Sequence, residues 1–221
     1  MSYTVEIKDI QKVTHDVKAY TFEKPEGYEF VPGQATEVSI NKPEWKDEKR
    51  PFTFCSLNDD DYLQFVIKSY RDHDGVTNQL DQLKPGDELI IDDPWGAIHY
   101  DGPGTFLAGG AGVTPFIAIF RQLHKDGKVD GNHLYFSNKT AQDIILQEEF
   151  KKIMGDNFIN TLTQEKKDGY LHGRIDKEFL EEHIDNFDQS FYICGPMQFV
   201  KDLIRDLRDL GVETSGLVFE K

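Results

Sequence analysis

"TFLAGGAGVTPFIAIFRQLHKDG", residues 105–127, decides how this chain folds. Its first four residues are a short apolar run, and the turn that follows carries Gly109, Gly110 and Gly112. From Thr114 onward, Phe116, Ile117, Ile119, Phe120 and Leu123 recur on one broad helical face. Thr114 reads as the helix N-cap and Pro115 as the first helical residue. In a strand–glycine turn–helix unit the backbone can approach a ligand closely, because glycine has no Cβ and the helix start offers unpaired N–H groups and a positive dipole end. A plain strand-to-helix turn has the same local pattern, and the six-residue GxGxxG fingerprint is absent.

Toward the C-terminus the pattern repeats. HLYFS (133–137) predicts a strand, residues near 147–154 a helix, and NFINTL, KEFLEEHI, SFYIC (190–194) and FVKDLIRDLRDLG (199–211) continue the alternation. Strands alternating with helices predict a parallel sheet covered by helices on both faces. The stripe Phe199, Val200, Leu203, Ile204, Leu207, Leu210 has helical period and reads as core. CGPM (194–197) again joins an apolar strand to a helix. Two such turns on parallel strands can face one crevice at the carboxyl ends of the sheet, which favours a nucleotide site over a bare turn.

Toward the N-terminus, beyond the Gly/Pro-rich YDGPGT, the pattern changes. YTVEI, VKAYTF, ATEVSI, YLQFVIKSY and DELIID are short strands at the spacing of an antiparallel barrel or sandwich. One helix-like piece, VTNQLDQL (76–83), stops at Pro85 and Gly86. The expected organisation is a β domain over residues 1–102 followed by an α/β domain over 103–221. In RPFTFCS (50–56), Phe52 and Phe54 fall on one face and Thr53 and Cys55 on the other. Arg50 at its mouth calls for an anion. Gly75, Val76 and the Thr77 hydroxyl lie at a helix start suited to phosphate, and Arg50 can fork the same anion. Two anion sites on two domains suggest two nucleotide cofactors exchanging something.

Composition sets the limits. The 221 residues are 38% hydrophobic and 12% aromatic, which is ample for a sizeable core. No run reaches about 18 apolar residues, and MSYTVEIKD lacks the features of a secretory signal. Cys55 and Cys194 have neither metal-ligand nor CxxC spacing, so the expectation is a cytoplasmic protein with reduced thiols, Cys55 serving as a small apolar filler. The net charge of −15 is carried by both halves, which disfavours nucleic acid and anionic membranes as partners. No metal site is expected: the histidines lack HxxxH spacing, and DHDG (72–75) fails as a calcium loop. The sequon at Asn138-Lys139-Thr140 reads as incidental.

Together the motifs resemble the ferredoxin–NADP reductase superfamily over essentially the whole chain, especially its stand-alone flavodoxin/ferredoxin reductase and cytochrome b5 reductase-like branches. The R-x-Y-[ST] flavin motif is Arg50-Pro51-Phe52-Thr53, preceded by Pro32-Gly33-Gln34. The second flavin strand is Val66-Ile67-Lys68-Ser69-Tyr70, the pyrophosphate turn Gly75-Val76-Thr77, and the barrel end Pro94-Trp95-Gly96. The nicotinamide-side motifs are GGAGVTP and CGPM.

The resemblance implies FAD as cofactor and NAD(P)H as co-substrate, with hydride passing from nicotinamide C4 to flavin N5. It assigns the FAD diphosphate to Arg50 and Gly75–Thr77, the flavin or its ribityl chain to Phe52, and the neighbourhood of N5 to Thr53. Pro51, Ile67, Lys68 and Tyr70 help seat the cofactor. Gly109, Gly110, Gly112 and Thr114 receive the pyridine-nucleotide pyrophosphate, while Cys194, Gly195, Pro196 and Met197 flank the nicotinamide. Phe52 departs from the family's usual Tyr, which removes a phenolic hydrogen bond. Phe219, with Glu220 beside it, either covers the flavin, which would make it catalytic with Thr53 and Cys194, or is the core residue of a last strand. Of the loop residues Asn138, Lys139 and Asp143, the acid would repel a 2′-phosphate and the single lysine attract one, which favours NADH.

The implied acceptor is a separate carrier such as flavodoxin or ferredoxin. Such carriers are usually acidic, so docking on a chain of −15 would need a basic patch, for which Lys42, Lys46, Lys49 and Arg50 are available. The alternatives are a flavin- or quinone-type reductase with a small-molecule acceptor, or a non-catalytic flavin-binding subunit of a larger complex.

Overall fold

The computed structural model describes residues 1–72, 74–96 and 98–219; His73, of the DHDG stretch, and Ala97, Glu220 and Lys221 lie outside the described residues. The alternating first half forms six antiparallel strands, β1 (Ser2–Lys12), β2 (Val17–Glu23), β3 (Ala35–Ile40), β4 (Arg50–Thr53), β5 (Tyr62–Lys68) and β6 (Glu88–Asp92), with one short helix, α1 (Val76–Leu80), between the last two. Their order is β4-β3-β6-β1-β2-β5. The two edges nearly meet, because Cys55 N, two residues past β4, donates to Gln64 O of β5 at 2.8 Å. The sheet therefore curls into a nearly closed barrel that leaves little edge unpaired.

Alternation places the aromatic residues inside. Tyr20, Phe22, Phe54 and Phe65 are fully buried. The Phe54 ring lies 4.3 Å from Phe30 and 5.4 Å from Phe65, and Phe52 lies 6.1 Å from the same Phe65, so Phe52 and Phe54 share the core face as expected. The helix predicted over 76–83 is shorter than expected. Beyond Leu80, Gln82 N and Leu83 N bond to Gln79 O and Leu80 O, the tighter i→i−3 pattern of a terminal turn. Leu83 stays buried all the same, which is why the apolar spacing suggested one more helical turn.

The second half contains β7 (Gly104–Gly109), α2 (Thr114–Lys125), β8 (His133–Asn138), α3 (Gln147–Met154), β9 (Phe158–Leu162), β10 (Leu171–His172), α4 (Lys177–His183), β11 (Ser190–Cys194), α5 (Met197–Asp209) and β12 (Leu217–Phe219). All six strands are parallel, in the order β10-β9-β8-β7-β11-β12. Phe116 and Phe120 of α2 and Phe150 and Met154 of α3 pack on one face, and Phe179, Leu180, Leu203 and Leu207 of α4 and α5 on the other. The two-sided α/β layer is the expected one. The chain leaves the central β7 toward β8 on one side and later returns to β11 on the other, so the order reverses between β7 and β11, where α/β sheets place ligands.

Thr114 is not the N-cap. The turn after β7 is a 3-10 segment, Gly110–Val113, that runs directly into α2, with Val113 already in helical conformation. The Thr114 hydroxyl donates back to Ala111 O at 3.0 Å instead of accepting a helix N–H. Pro115 keeps its place in the first turn. The two halves share a core at their seam: Val17, Ala19, Cys55, Val66 and Ile98 join Phe116, Ile117 and Phe120 in one buried cluster.

Candidate active site

At the carboxyl ends of β7, β8, β9 and β11 lies a cleft of about 530 Å³. Its floor is the glycine turn, and Lys68 and Tyr70 close it from the barrel side. The two turns that the sequence placed on one crevice press against each other. A Cβ on Gly112 would lie 2.4 Å from both Cys194 O and Gly195 Cα, and one on Gly195 would lie 2.7 Å from the Phe199 ring. Gly112 is thus needed for turn-on-turn packing. Gly110 differs: its φ is +52°, a left-handed value that favours glycine, and nothing lies within 4 Å of where its Cβ would point.

One buried group in this cleft lacks a partner. Asn138, at the end of β8 and only 5% exposed, lines the cleft, yet neither its Oδ1 nor its Nδ2 has a hydrogen-bond partner. An unsatisfied buried amide costs about 1–3 kcal/mol, so a polar ligand with both donor and acceptor groups fits it. Lys139 also lines the cleft. Asp143 is already held: its Oδ2 accepts from Thr140 N at 2.8 Å and Thr140 Oγ1 at 2.7 Å, and its Oδ1 lies 3.8 Å from His15 Nε2 of the barrel. Sequence reasoning missed Ser137 and Thr163, which line the cleft because they stand at the ends of adjacent parallel strands. Phe199, read as core, does pack against the cluster under α4 and α5, and its ring also forms part of the cleft wall over Gly109 and Gly195.

A second cleft of about 220 Å³ lies between barrel and sheet. The barrel contributes Pro51, Phe52, Thr53, Ile67 and Thr77, and the sheet domain contributes Gly112, Thr114 and Cys194. Lys68, Tyr70, Ala111 and Gly112 line both clefts. Lys68 Nζ is fixed by Asp16 Oδ2 at 3.0 Å. Burial alone would raise the Asp16 carboxyl, but Lys68 and the Thr14 hydroxyl outweigh it and hold Asp16 below the usual range. Tyr70 is 52% exposed at the opening, and its N–H donates to the Thr77 hydroxyl at 3.4 Å. Behind Thr53, Cys55 is fully buried, and burial pushes its thiol up to about 12. That is the behaviour of a filler and not of a nucleophile.

Other residues singled out from the sequence stand elsewhere. Arg50 is exposed at the start of β4, its guanidinium 2.6 Å from Lys49 O and 3.5 Å from Glu48, and it lines neither cleft. Gly75 precedes α1 outside both linings, and Val76 is buried in the barrel core. Met197 is 73% exposed at the start of α5. Phe219 occupies the strand position: it pairs with Ile193 and packs in the cluster under α4 and α5. Glu220, named beside it, lies outside the described residues. Among the described residues one trio, His15, Asp16 and Asp143, brings three ligand-type atoms within 4.8 Å. Asp16 is already bound by Lys68 and Thr14, and Asp143 by Thr140.

Comparison with known proteins matches residues 4–100 to the oxidoreductase FAD-binding domain and residues 106–204 to the oxidoreductase NAD-binding domain. The chain is 27% identical to NADH-cytochrome b5 reductase 2 of Mycosarcoma maydis over 86% of its own length and 60% of that protein. It is 28% identical to the reductase component of propane 2-monooxygenase of Rhodococcus jostii (strain RHA1), over 96% of its length and 61% of that protein. The chain thus spans about 60% of these curated relatives. A ferredoxin NADP+ reductase from Neisseria gonorrhoeae with bound FAD and NADP superposes with a TM-score of 0.86 at 19% identity, covering 99% of this chain and 98% of that one, which shows the shared fold. Among the described residues no helix is long and apolar enough to cross a membrane. With a barrel matching the FAD-binding domain, a parallel sheet matching the NAD-binding domain and two clefts meeting at Gly112, the chain belongs to the two-domain FAD- and NAD-binding oxidoreductases and shares its fold with the ferredoxin NADP+ reductase.

Proposed function

We propose that this chain, divided near residues 102/103, is a reductase unit that takes a hydride from NADH at the sheet domain and passes electrons onward to a separate carrier protein. One observation carries the reading: Thr53 from the barrel and Cys194 from the sheet domain line the same 220 Å³ cleft, one on each side of the place where two cofactors would meet. Bound FAD would supply the hydride-accepting and one-electron-donating chemistry that no side chain here offers. The protein's part is position and electrostatics.

Phe52, Thr53, Ile67, Lys68 and Tyr70 line the barrel side of that cleft and would hold the flavin there. Arg50 and the Gly75–Thr77 turn would take its diphosphate. Gly110, Gly112 and Thr114 would receive the pyridine nucleotide, and the unpaired Asn138 carboxamide would complete its bonding at the nucleotide's hydroxyls. Cys194 and Gly195 would pack against the nicotinamide. Asp143 beside the lone Lys139 supports NADH over NADPH. The relatives named for cytochrome b5 and for a monooxygenase support a protein acceptor. The net charge of −15 favours, as a second reading, a small-molecule acceptor that needs no complementary patch. The two buried thiols form no disulfide and suit a reducing compartment such as the cytoplasm.

The test is anaerobic mixing of FAD-reconstituted protein with NADH in a stopped-flow instrument, following the flavin band near about 450 nm. Bleaching is expected, and its absence with both NADH and NADPH would sink the proposal. Arg50→Ala should keep the fold, since its pair with Glu48 is exposed and worth under about 1 kcal/mol. It should nonetheless lose FAD, and full flavin loading would remove Arg50 from the site. A screen of flavodoxin, ferredoxin, cytochrome b5 and ferricyanide then identifies the acceptor.

A further inference from the structure

We infer that Arg121 is a positioning residue for the transfer across the inner cleft: its guanidinium fixes how the barrel strand that carries Thr53 sits against the sheet domain that carries Cys194. Arg121 stands on α2, with its side chain only 22% exposed. Its Nε and Nη2 fork the carboxylate of Glu149 on α3, at 2.6 and 2.9 Å. That leaves Nη1 pointing at the barrel, where it donates to Cys55 O at 2.6 Å and to Gln64 Oε1 at 2.9 Å. One side chain thus joins two helices of the sheet domain to β5 and to the segment that follows β4.

The place it grips matters. Cys55 lies two residues after Thr53, and its own N–H bonds to Gln64 O, so Arg121 holds the junction at which the barrel closes. From this junction one strand leads back to Phe52 and Thr53, and the other forward to Val66, Ile67 and Lys68, all of them on the inner cleft. A second contact from α2 lands on the same residue: Cys55 Sγ lies 3.8 Å from Thr114 O. Thr114 and Arg121 are seven residues apart, two turns along one helical face. The face of α2 is therefore registered on Cys55 at both ends, and Thr114, at the near end, lines the cleft. Among the described residues, the Lys125 ion pair with Asp59 and the contact of His15 with Asp143 also cross the seam, and each involves a half-exposed partner and is weak for that reason.

The inference rests on the hydride-transfer reading above, and the test separates the two. Arg121→Met, Arg121→Lys and Glu149→Gln are made in the full chain, reconstituted with FAD, and studied well below each variant's Tm. If the parent protein bleaches with NADH, Arg121→Met should reduce the limiting rate of flavin reduction on the order of 100-fold, the effect of about 1 Å of misplacement. FAD content and the Kd for NADH should stay within about threefold. Arg121→Lys retains a cation that cannot serve both sides and should lose on the order of 10-fold. Glu149→Gln frees the fork and should fall between. A readout without cofactor is hydrogen exchange of the apo chain, where Arg121→Met should speed exchange at residues 53–57 and 62–66 and leave β8 and β9 unchanged. A reduction rate within threefold of the parent at lowered Tm, or unchanged exchange at 53–66, would show that Arg121 only stabilises and would overturn the inference. If Arg121→Met does not fold, Arg121→Lys decides in its place: a rate within twofold of the parent refutes. A parent that does not bleach refutes the proposed function instead, and the exchange experiment still reports on Arg121.

Discussion

Replacing Gly112 by Ala places a methyl group 2.4 Å from Cys194 O and Gly195 Cα, where ordinary contact begins at 3.4 Å. Both obstacles are backbone, so no side chain can swing aside, and the two turns must part by about 1 Å. Forcing an extra methyl into packed structure costs about 1–3 kcal/mol. In a chain of this length each kcal/mol lowers Tm by about 2–4 °C, which predicts a fall of about 2–12 °C. The shift also moves Cys194 relative to Thr53, and a displacement of about 1 Å predicts a loss on the order of 100-fold in flavin reduction at saturating NADH. Calorimetry and stopped-flow absorbance measure the two effects. Gly110→Ala is the control: its φ of +52° costs about 1–2 kcal/mol of left-handed strain, but its methyl meets no atom within 4 Å. That methyl points toward the cleft assigned to the pyridine nucleotide, so KM for NADH should rise, while hydrogen exchange around Cys194 in the apo chain should match the parent. A Gly112→Ala variant with unchanged Tm and unchanged reduction rate would refute the turn-on-turn packing.

Two further outcomes follow from buried groups. Asn138→Leu removes an unsatisfied buried amide, so the apo protein should gain about 1–2 kcal/mol while KM for NADH rises about five- to tenfold; an unchanged KM would exclude Asn138 from the ligand. Burial holds the Cys55 thiol up at about 12 and the Tyr28 phenol likewise at about 12, and it raises Tyr20 as well. The unfolded chain releases these protons near about 8.5 and 10 while the native state keeps them, so stability must fall as pH rises. Each group should contribute a loss of about 1.4 kcal/mol per pH unit between its unfolded and folded values, seen as a falling urea midpoint. A midpoint that is flat between about pH 9 and 11 would contradict the burial of these groups.

The elements were legible where burial enforces a period. VKAYTF and YLQFVIK alternate because one face of each must enter the barrel, and Phe116, Ile117, Phe120 and Leu123 recur because one side of α2 must cover the sheet. The two glycine turns were legible as well, although the reason for Gly112 was not, since its neighbour is a turn some eighty residues away. Ser137 and Thr163 escaped notice because strand order, a tertiary property, decides which strand ends lie side by side. Arg121 drew no reading from the sequence, because it lies off the apolar face of α2, and only the docking of the barrel turns it into a buried fork. Arg50 shows the reverse limit. Its motif was legible, but the direction of a long side chain depends on which anion is nearest, and within this chain that is Glu48.

Lys68, Tyr70, Ala111 and Gly112 belong to the walls of both clefts. Molecules bound in the two places would therefore share a boundary, and each would alter the surface that the other meets. Thermodynamic reciprocity then requires any factor by which one occupant changes the affinity of the second to apply equally in reverse. A substitution at Tyr70, which stands on both walls, would therefore act on the occupants of both clefts. Paired titrations of each nucleotide, with and without its companion, should return the same ratio, different from one, and a ratio of one in both directions would show that the shared walls do not couple the two sites.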